Sequence, residues 1–319
     1  MRVLVKEMCI YTQEDLQRLQ HCLYRTFLKE PRLYFDDAGK RCNACRNTAS
    51  KYWREGLEKG VFFPPQIRLK MYENRREYIY LIQSDSAHEL YKYYKKQPNL
   101  IYEAMTLGKF DLLLQTNSPL EVIPDRTLFW GCRGNYIFPE TPLYSFKKGL
   151  TLMEELVEKE HSLSQIPVDY PEERSEVGDA DYGWMIYPYV KYDMRTGFTK
   201  IIKKLHMSFD SFYKGMEYLM DVSTMLLPYY PFGYTQYTHY FFVFWSDYDK
   251  LLCEFLGLLP CHTSIVKVND ALLAYVHILK DDQTNEEDFF NLCLRLRELQ
   301  LVNRFWVANP VFFCIPEIP

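Results

Sequence analysis

Apolar side chains recur at helical intervals through residues 14–28 (Leu16, Leu19, Leu23, Tyr24 and Phe27) and predict an amphipathic helix that Pro31 brings to an end. A short second helix is expected over residues 35–42, with Asp36 and Asp37 in the first turn, where the helix dipole favours acids. Asn43 and Ala44 make a tight turn. A third helix follows over residues 46–59 and closes at Gly60. On that helix Ala49, Trp53 and Leu57 stand one turn apart and face inward, while Arg46, Asn47, Ser50, Lys51 and Arg54 point away. Residues 61–70 then read as an extended wing, with Ile67 and Leu69 inward and Arg68 and Lys70 outward.

The C-terminal part has the clearest pattern. Residues 240–245 predict a strand, 247–257 a helix, 263–268 and 272–279 a hairpin about Asn269 and Asp270, 286–299 a helix and 301–307 a strand. This is the βαββαβ order of a ferredoxin-like domain. A weaker copy runs through strand 78–83, helix 86–96, strands 101–106 and 110–115, and strand 129–138. Pro119, Pro124, Pro139 and Pro142 argue against its second helix. Between the copies lie a helix over 150–160, an acidic, Pro-containing connector over 166–181, and helices over 182–192, 197–205 and 208–220. Residues 229–240 then lead out like a second wing. The expected fold is α+β: a winged helix-turn-helix (1–74), a shortened ferredoxin-like domain (75–145), a second helix-turn-helix-like domain (146–236) and a ferredoxin-like regulatory or dimerisation domain (237–319).

Charge changes the functional picture. The 319-residue chain carries a net charge of −4, yet between Ala38 and Arg76 ten basic side chains face three acids, a local charge of +7. Such asymmetry suits phosphate neutralisation. Arg46, Asn47, Ser50, Lys51 and Arg54 are therefore candidates for base edges and phosphates, and Lys70, Arg75 and Arg76 for backbone phosphates. A weaker basic set, Arg195, Lys200, Lys203, Lys204 and Lys214, marks the second helical region.

The aromatic content is high, at 17%, and the run 229–244 suits a strand at an interface. No apolar run is long enough to span a membrane, and residues 1–11 lack a signal-peptide core. Nine scattered cysteines suit reduced thiols in the cytoplasm. Cys42 and Cys45 have the spacing of half a zinc site or a redox pair, but no second pair follows, so structural thiols are expected. Arg133, Gly134 and Asn135 read as a turn, and Cys261-His262 as a buried Cys beside a satisfied loop His. No nucleotide, zincin or hydrolase motif is present, so neither catalytic residues, a metal nor a cofactor is assigned.

Residues 42–70 resemble the recognition helix and wing of the leucine-responsive (Lrp/AsnC-like) transcription regulators. Leu57-Glu58-Lys59-Gly60-Val61 matches the family's Leu-Glu-x-x-Gly-Val/Ile signature. The resemblance implies a DNA-binding regulator with double-stranded DNA as partner, a possible small-molecule effector, and a fused pseudo-dimer that can pair again as a homodimer. It also implies an alternative. Some proteins resembling these regulators in fold, tandem ones included, decarboxylate sirohaem, with His residues assisting; here His239 and His262 are the candidates. A third possibility is a ligand-sensing or assembly module without DNA binding.

Overall fold

The computed structural model describes residues 12–124, 126–159, 181–280 and 283–315; residues 1–11 and most of the acidic connector lie outside them. α1 (Gln13–Lys29) opens on a capping box, in which Thr12 and Asp15 each accept a hydrogen bond from the other's backbone amide. α2 (Phe35–Arg41) and α3 (Arg46–Glu58) follow, with Asn43 in the left-handed region between them. Trp53 of α3 packs between Phe27 and Phe62, with ring centroids 4.6 and 4.7 Å away. Gly60 sits at φ +67°, where an L side chain is strained, and turns the chain toward β1 (Gln66–Leu69).

The first set of barrel strands is β2 (Tyr78–Ile82), β3 (Leu100–Gly108), β4 (Leu112–Thr116) and β5 (Thr127–Ile137), with α4 (Ala87–Tyr94) after β2. Among the described residues no helix stands between β4 and β5, where Pro119 and Pro124 fall. α5 (Phe146–Lys159) and a second helical group, α6 (Asp181–Val190), α7 (Phe198–Leu205) and α8 (Phe209–Asp221), lead to β6 (Ser223–Leu226). The last part is β7 (Tyr237–Trp245), α9 (Asp249–Gly257), β8 (Ser264–Val268), β9 (Ala271–Leu279), α10 (Gln283–Glu298) and β10 (Arg304–Cys314).

The β1 and β6 strands pair with each other, antiparallel, so the two helical groups share one two-stranded sheet. Two arginines also cross between the groups. Arg195 donates to the Pro31 and Leu33 carbonyls and lies 4.3 Å from the Phe27 ring centroid. Arg32 donates to the Thr196 carbonyl at 3.0 Å. Arg195, expected as part of an outward basic set, is thus an internal tie, and burial pulls its pKa down to about 10.

The other eight strands close into one barrel in the order β10-β3-β4-β2-β5-β8-β9-β7, sealed by β10 against β7. Each part contributes its strands in the order second, third, first, fourth: β3-β4-β2-β5, then β8-β9-β7-β10. The seams are β5 with β8 and β10 with β3. Sheet edges that two separate subunits would have to pair are therefore used up within one chain. Helices α5, α9 and α10 cover the outer face of the second part through Phe242, Phe244, Phe255 and Phe289. The α5 helix follows the first part in sequence but belongs to this layer.

One outward residue is out of character. Glu103 on β3 is fully buried beneath α4, in an apolar setting, and among the described residues neither carboxylate oxygen has a hydrogen-bond partner. Burial lifts its pKa to about 8. The folded state keeps the proton while the unfolded chain loses it above an ordinary carboxylate pKa. Stability therefore falls as pH rises from about 4.5 to about 8. Glu103→Met is expected to stabilise the protein by on the order of 2 kcal/mol at pH 8 and far less at pH 5; urea unfolding at the two pH values measures the difference.

Candidate active site inside the barrel

Alternation along the strands decides which side chains enter the barrel. Leu81, Phe129, Val243, Trp245, Val268, Ala271 and Trp306 point inward and fill one end solidly. Toward the other end the inward positions are Ile79, Tyr102, Leu113, Tyr136, Phe241, Val266, Leu273 and Tyr275. Here the packing opens into a cavity of about 300 Å³. Gln66, Arg68 and Leu69 of β1, Leu226 of β6, and Tyr187 and Lys191 at the end of α6 roof it over. The helical layer therefore serves as a lid on the barrel, with β1 and β6 as its inner surface.

The lining is apolar and aromatic, with three cations, Arg68, Arg133 and Lys191, against one carboxylate, Glu77. Arg133 is 1% exposed and its charge is already engaged. Its Nε donates to Glu77 at 2.7 Å, and its two terminal nitrogens donate to the Gly134 and Leu69 carbonyls at 2.9 and 3.0 Å. The Gln115 amide also donates to Glu77, at 2.6 Å, and Tyr136 donates to the Gln115 oxygen at 3.1 Å. Among the described residues Arg68 donates to the Ile67 carbonyl and the Gln66 amide oxygen, and it lies over the Tyr192 ring. The Lys191 side chain lies over the same ring, 4.7 Å from its centroid. Burial, then the Arg68 charge, pulls the Lys191 pKa down. Among the described residues neither cation forms an ion pair, Glu77 being engaged by Arg133 and acting on Lys191 only from a distance, and two half-buried cations that repel each other form a place for an anion.

A histidine-tyrosine cluster borders the same space. His262, just before β8, is buried on the cavity wall and hydrogen-bonds Ser264 Oγ at 2.9 Å. Burial, then Arg68, pulls its pKa down to about 3, so the imidazole is neutral at ordinary pH. His239 of β7 and His277 of β9 are register partners, with their Nδ1 atoms 2.7 Å apart. Tyr234 stacks on His239, with centroids 4.1 Å apart, and its hydroxyl meets that of Tyr275 at 3.0 Å.

Of the candidate histidines, then, His262 reaches the cavity wall while His239 stands behind it. Arg133 is no surface turn residue: it lies in β5 beside a register shift and fastens Glu77 inside. His277 was not singled out by sequence, although one signal existed, an alternating apolar strand broken by a single His in an inward-outward register. Cys42 is bonded to Cys22 of α1, so it is not the free thiol expected at the turn; Cys45 is free and exposed. A Thr48 hydroxyl hydrogen bond, then backbone amides of the helix start, pull the Cys45 pKa down.

The residues expected to meet DNA lie elsewhere. Arg46, Asn47, Lys51 and Arg54 are exposed on α3, with Ser50 half-buried among them. Lys51 faces Glu55 at 3.8 Å, and Arg54 donates to the Ser50 carbonyl. Lys70 donates to the Asp221 carbonyl, Arg75 packs over Trp184 at 3.8 Å, and Arg76 is exposed. Two of the ten cations form exposed ion pairs with acids just outside that stretch, Lys40 with Asp36 and Arg41 with Glu30.

No protein-family model matches the chain, and no curated protein matches it in sequence. Solved structures do match. "Siroheme decarboxylase NirDL" superposes with a TM-score of 0.52 at 11% identity, covering 94% of this chain and 94% of that one. A second structure of that protein, "in co-complex with iron-uroporphyrin III analogue", gives 0.47 at 10% identity over 92% of each. The likeness overturns double-stranded DNA as the expected partner: the neighbour is a siroheme decarboxylase, and no residue of α3 lines the cavity. At 11% identity the likeness is one of fold, and the matching fold is that of the enzyme alternative named from the sequence. The described residues hold no helix long and apolar enough to cross a membrane. The chain has an Lrp-like fold of mixed helices and strands, built about an eight-stranded barrel.

Proposed function

We propose that this chain is a decarboxylase of sirohaem or a closely related carboxylate-rich tetrapyrrole. The observation that carries the proposal is the cavity itself: aromatic walls, and at its roof two cations that form no ion pair among the described residues. A tetrapyrrole is a flat π-system edged with carboxylates. Its faces match the rings of Tyr102, Tyr136, Phe241 and Tyr275. Its carboxylates match Arg68 and Lys191, with charge-assisted hydrogen bonds in a site partly shielded from water. His262 is neutral before an anion arrives, and carboxylates beside it favour its charged form. The three groups then hold the side-chain carboxylates in fixed places.

Decarboxylation breaks the bond between a carboxylate carbon and its methylene. CO2 departs, the electron pair stays on the methylene carbon, and one proton must reach that carbon. The apolar wall made by Ile79, Leu113 and Leu273 solvates a leaving carboxylate poorly, whereas the cations at the roof hold the carboxylates that stay. This division between retained and released groups is the part of catalysis the cavity performs by position. On this reading the architecture is a tandem pair. Each half has a winged helix-turn-helix (1–74 and 146–236) and a ferredoxin-like domain (75–145 and 237–319), and the helical halves are kept as a lid in place of a DNA reader.

An anaerobic absorbance titration of the pure protein with sirohaem tests binding at this site. A saturable shift of the tetrapyrrole bands at one equivalent is expected. Spectra that merely add, with no shift at any ratio, would oppose the proposal.

A further inference from the structure

Each CO2 released consumes one proton, and a cavity roofed by β1, β6 and α6 must receive it from outside. This inference rests on the decarboxylase proposal. We infer that His239, His277 and Tyr230 form a proton wire that carries one proton from solvent to the cavity wall in each turnover.

The three groups are linked end to end. His239 is half-buried on β7. Its Nδ1 meets Nδ1 of the fully buried His277 at 2.7 Å. On the opposite side of the same ring, His277 Nε2 meets the Tyr230 hydroxyl at 3.1 Å. Tyr230 lines the cavity and has 3% of its surface exposed. The path thus begins at a half-buried ring, passes through a fully buried one, and ends on a residue that lines the cavity. A buried polar pair needs only one hydrogen bond each to be satisfied. Here His277 uses both ring nitrogens, one toward each end of the path.

The proton balance closes without any co-reactant. His239 Nε2 takes a proton from water as its Nδ1 hydrogen passes to His277 Nδ1. The His277 Nε2 hydrogen passes to the Tyr230 oxygen, and the Tyr230 hydroxyl proton passes to the carbon that CO2 has left. Every ring ends neutral, with its hydrogen on the other nitrogen, and rotation or exchange resets it. Burial of all three groups favours this neutral, concerted form, because a separated charge would be poorly solvated here. The other groups facing the path are Lys280 beside His239, and Tyr234, Tyr275 and His262 around the inner rings. Burial, then the Lys280 charge, discourages an imidazolium at the entrance, so the proton moves on. Tyr234 stacks on the His239 ring and fixes its plane.

Tyr230→Phe removes one oxygen and keeps the ring; His239→Ala opens the entrance and leaves a slot beside Tyr234. Turnover of sirohaem by each is compared with the unmodified protein, together with the dissociation constant from the absorbance titration. Tyr230→Phe is expected to lower kcat about 100-fold, in the range of general acid catalysis, with the dissociation constant changed by less than about twofold. His239→Ala is expected to lose about tenfold or more, and dissolved imidazole to restore it while leaving Tyr230→Phe slow. Full turnover in both variants, with an active parent, overturns the wire alone. Loss of turnover matched by loss of binding, without imidazole rescue, also overturns it by assigning the residues to structure. An inactive parent protein overturns the decarboxylase proposal and the wire with it.

Discussion

Arg133→Met is expected to lower the unfolding free energy by about 3–5 kcal/mol, the cost of leaving a buried charge without its partner. The loss has three sources in the structure. The Glu77 carboxylate keeps only the Gln115 amide, the Leu69 carbonyl of β1 loses its donor, and the Tyr136 ring loses the guanidinium lying 4.5 Å from its centroid. The Leu69 contact gives the change a second consequence, since it ties the helical lid to the barrel wall. Removing the carboxylate as well, in Arg133→Met with Glu77→Leu, should recover most of the loss, because an apolar pair of similar volume avoids the desolvation of both charges. Urea unfolding of the two single variants and the double variant gives the coupling directly. Additive losses in the double variant would mean that the pair does not act as a unit.

Arg68→Met combined with Lys191→Met is expected to weaken sirohaem binding by about two orders of magnitude, while the ligand-free protein stays as stable or gains stability. Each charge-assisted hydrogen bond to a carboxylate contributes about 1.5–3 kcal/mol, so losing two reaches this range even when part of the energy is recovered by water. The opposite effect on stability follows from the free site. There the two cations repel each other, and burial already holds the Lys191 pKa down. Methionine keeps length and apolar area in the roof without the charge. A protein that gives up stability to hold charges ready for a ligand shows this signature. The two measurements are the titration midpoint and the thermal midpoint without ligand; equal losses in both would assign the cations to the fold and not to the ligand.

Much of the fold is legible in the sequence because period and breakers are local signals. The alternation in β7 and β9, the helical spacing in α1 and α9, the prolines that forbid a helix between β4 and β5, and Gly60 at the end of α3 are all read from neighbours in the chain. The pairings are not. Nothing near residues 66–69 announces β6 as their partner, about 150 residues on, and nothing in β5 announces β8. Closing the barrel is a long-range event, and the cavity exists only because the barrel closes.

The same reason explains the misreading of function. The basic surface of α3 is contiguous in sequence and stands out as a motif, whereas Arg68, Lys191 and His262 come from β1, the end of α6 and the start of β8. Arg68 was counted among the cations of a DNA-facing patch. The fold turns it instead toward the interior, beneath the lid. Arg133, expected in a turn, and Arg195, expected in a basic set, are internal ties, since a guanidinium's flat fork can be satisfied by carbonyls wherever the chain supplies them.

The most direct measurement is the mass of the tetrapyrrole recovered after anaerobic incubation of sirohaem with the pure protein. The account predicts products lighter than the substrate by the mass of CO2, once for each carboxylate released, formed about 100-fold more slowly by Tyr230→Phe. Recovery of unchanged sirohaem from a protein that binds it in the titration would contradict the account, leaving a tetrapyrrole-binding barrel without the reaction.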